Sequence, residues 1–323
     1  MTQPLISLKH WVGQATLEAT PGTAEAAPTL YIPLKTGDVN TKVGMITPEE
    51  TRGVLSTEWV SVPTINEYAG TFTSVYYTDM TYAWLYNILG SQIHTTLEAG
   101  VEQYVAKLSS TNRPTMTLFE NRWQEADHLD AYSGTVIDKF TGKFVPASSL
   151  FDISVSTKSL HHTVVAGALP TTVFTSEVPF AAAGVQATKA SSAFVDLTDF
   201  EIDIAVNHAS YKGADGTPEY TYIVPGKFQV NCKGTFFASR SEFEKYLAGT
   251  EEAFEFTFTG AAIGTTHHKS VKFTIPRTKY NNYDVKYDKS LQMATVAAKV
   301  LYDQTSGSPL TVTNITDRVA TAW

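Results

Sequence analysis

Cysteine is nearly absent. Cys232 is the single one in 323 residues, so no internal disulfide holds the chain together, and synthesis in a reducing cytoplasm is expected. Met1 to Val12 lacks both a basic start and an apolar core, so no signal peptide is expected. Long apolar runs are missing as well. The least charged long stretch, Leu160 to Ala187, is broken by His161, His162, Pro170, Glu177 and Pro179 and fails as a membrane span. Basic charge is scarce too: 24 Lys+Arg against 32 Asp+Glu give a net charge of −8. That balance argues against a surface built to grip phosphates.

Recognisable reaction chemistry is also missing. The chain has no G-x-S-x-G elbow and no phosphate loop of the G-x-x-x-x-G-K-[ST] or G-x-G-x-x-G kind. Cys232 lies in an alternating run where a small buried hydrophobe is its expected role. The histidines form two adjacent pairs, His161-His162 and His267-His268, with His10, His94, His128 and His208 scattered. Neighbours on a strand point to opposite faces, so an adjacent pair does not easily give both rings to one metal. Turn-rich sequence beside each pair predicts solvated loop histidines. No enzyme, metal site or cofactor is expected.

What is present is apolar material and a repeat. Hydrophobic residues make up 43% of the chain, enough over this length for about two domains of roughly 150 residues. Gly70-Thr71-Phe72 closes an alternating run and leads into a helix-like stretch, Asp79 to Gly90. Gly234-Thr235-Phe236 does the same ahead of Ser241 to Gly249, at an offset of 234 − 70 = 164 residues. A duplicated strand-rich unit explains both copies. Phe72, Trp84 and Leu85 in the first copy and Phe236, Phe243 and Leu247 in the second are the residues expected to pack each helix on its sheet. Ser241 and Glu244 are spaced as a capping box, and Gly249 suits the position after the helix end.

The boundaries follow from composition. Residues 1–57, rich in Thr, Pro and Gly, read as an extended arm with a strand or two. Residues 58–159 form the first β unit, in which Thr115 to Trp123 and His128 to Phe140 are a predicted hairpin. Residues 160–193, dominated by Ala, Thr, Ser and Val, read as a linker or projecting loop. Residues 194–316 form the second unit and 317–323 a tail. Strands are expected at Phe194 to Val206, Glu219 to Val224, Lys227 to Phe237, Phe254 to Thr259, Val271 to Pro276 and Ala294 to Tyr302.

Asp199, Glu201 and Asp203 alternate with Phe200, Ile202 and Ile204, which sets three carboxylates on one face of a strand. Such a row is a plain solvated face, a functionally acidic surface or, least in keeping with its spacing, part of a catalytic pair. The aromatics, 12% of the chain, suit strands and protein interfaces, with a sugar-stacking platform as the rival.

Taken in order, the arm with Thr20-Pro21-Gly22-Thr23-Ala24, the segment Thr47-Pro48-Glu49-Glu50-Thr51-Arg52-Gly53, and the Gly-Thr-Phe strand feeding a helix that ends in Leu89-Gly90 carry a resemblance. The chain resembles the tail tube (major tail) proteins of long non-contractile-tailed bacteriophages, of the duplicated-domain type. The resemblance implies a mainly β fold: two tandem β-sandwich or barrel domains, each flanked by a short α-helix. It implies stacked rings, trimeric in chains and pseudo-hexameric in domains, forming a tube through which DNA passes during ejection. The implied partners are the protein itself, tail-tip or initiator, tape-measure and terminator proteins, and DNA without specific binding; no membrane is implied. Asp199, Glu201 and Asp203 would then face the lumen, where carboxylates repel the phosphate backbone. The alternatives are a carbohydrate-binding β-sandwich or glycosidase, a contractile-tail tube, and a tail-tip hub protein.

Overall fold

A computed structural model describes residues 11–48, 60–111, 114–121, 129–146, 150–165, 177–181, 184–288 and 291–318. Its first half runs β1 (Trp11–Leu17), β2 (Leu30–Ile32), β3 (Thr36–Ile46), β4 (Val62–Val75), α1 (Tyr82–Leu89), β5 (Gly90–Glu98), β6 (Val101–Leu108), β7 (Met116–Asn121), β8 (Leu129–Phe144), β9 (Asp152–Ser159) and β10 (His161–Val165). The second runs β11 (Val185–Lys189), β12 (Ser192–Ala193), β13 (Leu197–Ala205), β14 (Ala209–Tyr211), β15 (Tyr222–Val224), β16 (Gln229–Phe237), α2 (Arg240–Ala248), β17 (Glu251–Ile263), β18 (His267–Asp288), β19 (Leu291–Val300) and β20 (Thr311–Thr316). The fold is mainly β, as the alternation predicts. In β9, for example, Ile153, Val155, Thr157 and Ser159 are buried while the residues between them are half-buried.

The antiparallel pairings of the first half are β1 with β2 and β7, β8 with β7, β9 and β10, and β4 with β3 and β9. In the second half they are β11 with β12 and β17, β18 with β17, β19 and β20, and β16 with β13 and β19. The two patterns match one for one. The main difference is the hairpin β5–β6, placed after α1 with no counterpart after α2. Opposite β4, Phe140 of β8 reaches Phe72 through Val155; opposite β16, Val285 of β18 reaches Phe236 through Ala294. The offset between matching positions therefore falls from 164 (70 to 234) to 285 − 140 = 145, and the lost 19 residues equal the span of Gly90 to Leu108.

One core serves both halves. Phe140, Phe144 and Phe151 belong to the same buried cluster as Phe200, Phe256, Phe258 and Phe273. Phe151 stacks on Phe258 with ring centroids 4.3 Å apart, and Phe200 lies 3.9 Å from Phe256. Offset ring pairs of this kind contribute beyond the area they bury. The β5–β6 hairpin adds a second tie, because β6 pairs with β20 and Glu98 accepts hydrogen bonds from the backbone N–H and hydroxyl of Thr265.

Two segments carry more paired strand than their composition suggests. From Trp11 the presumed arm is woven into the sheets through β1, β2 and β3, and Glu18 is buried with hydrogen bonds from Gly22, Thr115, Thr117 and Gly134. Residues 1–10 and 49–59, including most of the Thr47 to Gly53 segment, lie outside the described residues. The presumed linker supplies β10, β11 and β12, each paired with a neighbour, and only 166–176 and 182–183 of it lie outside the description. Backbone groups that find a ladder are more stable there than in a loop. Composition alone cannot show that partner.

Candidate assembly and pore surface

Between the two halves the chain makes a junction that no local pattern announces. The C-terminal part of β8 pairs antiparallel with β13, with Phe140 opposite Ile204, Thr141 opposite Asp203 and Lys143 opposite Glu201. The result is a continuous run in the order β3-β4-β9-β8-β13-β16-β19-β18. Following one row across it gives Thr36, Thr73, Ser154, Thr141, Asp203, Asn231, Lys299 and Lys279, hydrophilic at every strand. A row on the opposite face holds Phe72, Val155, Phe140, Ile204 and Val230, all buried. Period-two alternation thus makes one wall polar and the other the core.

Asp199, Glu201 and Asp203 sit on the polar wall, half-buried, while Phe200, Ile202 and Ile204 are buried behind them. They do not stand as a bare acidic row. Lys139 Nζ is 3.1 Å from Asp203, Lys233 Nζ is 3.6 Å from Glu201, and Thr141 Oγ1 donates to Asp203 at 2.9 Å. Such exposed pairs contribute little to stability. Their effect is electrostatic balance: the wall carries both signs, interleaved. The signal for these lysines lay in Lys139-Phe140-Thr141-Gly142-Lys143-Phe144, whose alternation complements Phe200-Glu201-Ile202-Asp203, but which strands would meet was not local information.

Phe72 and Phe236 occupy matching buried positions, and Trp84 and Leu85 are buried with nearly all of α1. Phe243 and Leu247 depart from the expected equivalence, at 41% and 67% exposed. α1 packs against β5, β6 and β8, whereas α2 packs chiefly on β18, with ion pairs to Lys189 of β11 and Glu252 of β17, so the inserted hairpin explains why one helix is core and the other surface. Phe243 still touches Tyr246 and Tyr283, with centroids 6.2 and 5.6 Å away. The cap of α2 lies two residues earlier than expected: Ser239 accepts from the N–H of Glu242, and Gly249 ends the helix at φ 63°.

The histidine pairs are strand residues, not loop residues. His161 Nδ1 lies 2.8 Å from Glu219, and His162 Nε2 lies 2.8 Å from Asp130. Glu219, in the connection between β14 and β15, also accepts from Tyr68 Oη at 2.8 Å and from the His162 N–H, so the second half reaches back onto the first. Burial raises the Glu219 carboxyl, but those hydrogen bonds outweigh it and hold the group below the ordinary carboxylate range. Buried His208 clamps Asp138 through its N–H at 2.6 Å and its ring at 3.1 Å. Asp138 follows the same logic, burial opposed and overcome by His208 and Lys158. His267 and His268 open β18.

Among the described residues, no group of three or more His, Cys, Asp and Glu is placed to hold a metal ion. Cys232 is buried, and burial pushes its thiol well above the ordinary value, which makes it a poor nucleophile. Among the described residues no helix is long and apolar enough to cross a membrane.

None of the curated proteins compared with the chain matches it significantly. A family model described as phage tail tube protein matches residues 14–299, which takes in the polar wall, the β8–β13 junction and both Gly-Thr-Phe strands. The chain belongs to the phage tail tube protein family.

Proposed function

We propose that this protein polymerises into stacked rings that form the tube of a phage tail, a conduit for DNA during ejection. The observation that carries the reading is the sheet that runs unbroken through both halves with one polar wall. A β layer of this kind has its core on one side and water on the other, as the lining of a pore requires. Lysines and carboxylates interleaved on that wall leave it without the net positive field that would hold phosphates.

The matched pairing patterns support a tandem duplication, with each chain supplying two equivalent units to a ring of three chains. Growth of the tube would begin on a tail-tip initiator around a tape-measure protein and stop at a terminator. Synthesis in the host cytoplasm precedes assembly into the virion tail. No catalytic step is part of this reading. Negative-stain electron microscopy of the purified protein, alone and with a tail-tip complex, tests it. Hollow rings or tubes with three chains per ring are expected, and a strictly monomeric species at high concentration in both samples would sink it.

A further inference from the structure

The continuous sheet ends in two edges, and the interior of the chain shows what fits between them. Asp199 lies opposite Thr235 as Asp38 lies opposite Thr71, so β13 corresponds to β3 at an offset of 199 − 38 = 161. Phe140 corresponds to Val285 at an offset of 145, through the ladders already described. Inside the chain Phe140 pairs with Ile204. The same offsets carry Ile204 to Val43 and Phe140 to Val285.

Resting on the ring reading, we propose that β18 of one copy pairs antiparallel with β3 of a second copy of this chain. Val285 then lies opposite Val43, Lys286 opposite Lys42 and Tyr287 opposite Thr41. Among the described residues, Asn40 to Val43 pair with β4 alone and Asp284 to Asp288 with β19 alone, which leaves one side of each open to a further strand. The side chains agree. Phe140 and Ile204 are fully buried, while Val43 and Val285, at the matching positions on the same core-side face, are 47% and 42% exposed. Tyr287 is 76% exposed beside them. Pairing in this register covers all three, as the internal junction covers its own residues. Lys42 and Lys286 face each other across the join, a repulsion offset by Asp284, which sits 3.2 Å from Lys286 and diagonal to Lys42. The two edges are different surfaces, so the contact is head-to-tail and propagates until it closes.

Two measurements test the register. Val43→Cys with Val285→Cys, oxidised after assembly, is expected to give interchain disulfides at least tenfold more readily than Val43→Cys with Tyr287→Cys; buried Cys232 stays in both backgrounds. In wild-type protein, amide exchange at Asn40 to Val43 and Asp284 to Tyr287 is expected to slow at least tenfold on assembly. The exchange result decides the matter alone if the double variants fail to fold. Tubes seen by microscopy without the crosslink and without slowed exchange would overturn the pairing and leave the ring reading intact. Slowed exchange and crosslinks in open chains that never form rings would support the pairing and remove the ring. Wild-type protein that never associates overturns both.

Discussion

Lys189 shows how single residues hold the second half together. Its side chain is 7% exposed, and its ammonium is ion-paired to Glu242 and, at 2.6 Å, to Glu252, with Tyr280 Oη at 2.8 Å. Phe194, Phe236, Phe254 and Tyr280 surround it with their rings at 5.0 to 6.0 Å. A charge so placed is tolerated because it is paired; removing one partner strands the others. Lys189→Met is therefore expected to cost about 3 kcal/mol in urea unfolding, even though methionine fits the aromatic cage. The two helices give a second test. Trp84→Ala empties a fully enclosed site and should cost about 3 to 5 kcal/mol. Leu247→Ala, at a surface position, should stay within about 0.5 kcal/mol.

Among the elements, the connection between β14 and β15 is one that acid is expected to loosen. Glu219 and Asp138 both titrate below the ordinary carboxylate values in the folded chain. A lowered pKa means that the folded state favours the ionised form, so the stabilisation is full above about pH 4.3 and is lost as pH falls through the depressed values. Amide-exchange protection in residues 209–224, corrected for the intrinsic rate, is expected to fall below about pH 4. Glu219→Gln should loosen the same residues at pH 7, and unchanged exchange there would show that the contact with Tyr68 and His161 does not anchor them. The N-terminal strands belong to this scale too. Deleting residues 2–25 removes β1 and Glu18, so the expected result is a destabilised chain, read as a lowered melting temperature.

Over the whole molecule, the polar wall is the surface to perturb. Asp199→Lys with Asp203→Lys leaves the buried face of β13 untouched and turns an interleaved wall positive. Tubes should still form, while DNA passage slows at low salt and recovers as salt rises, because the added cations bind phosphates. Ejection kinetics unchanged at low salt would place this strand on the outside of the tube.

The sequence alone determined whatever depends on near neighbours. Period-two alternation in Phe200-Glu201-Ile202-Asp203 decided which face each side chain takes, each Gly-Thr-Phe marked a strand that leads into a helix, and Gly249 stopped a helix, because these are properties of adjacent dihedrals and local burial. Tertiary structure decided the rest. β18 runs straight through Pro276, where the sequence predicts an end, because the ladder is bulged there and opposite β17 asks no N–H of proline. His161 and His162 became strand residues because β8 was available to pair with them. Leu247 stayed at the surface because no hairpin covers α2 as β5–β6 covers α1. The junction of β8 with β13 joins residues such as Phe140 and Ile204, 204 − 140 = 64 positions apart, and a ladder of that reach is chosen by the sum of the packing around it, which no short window of sequence contains.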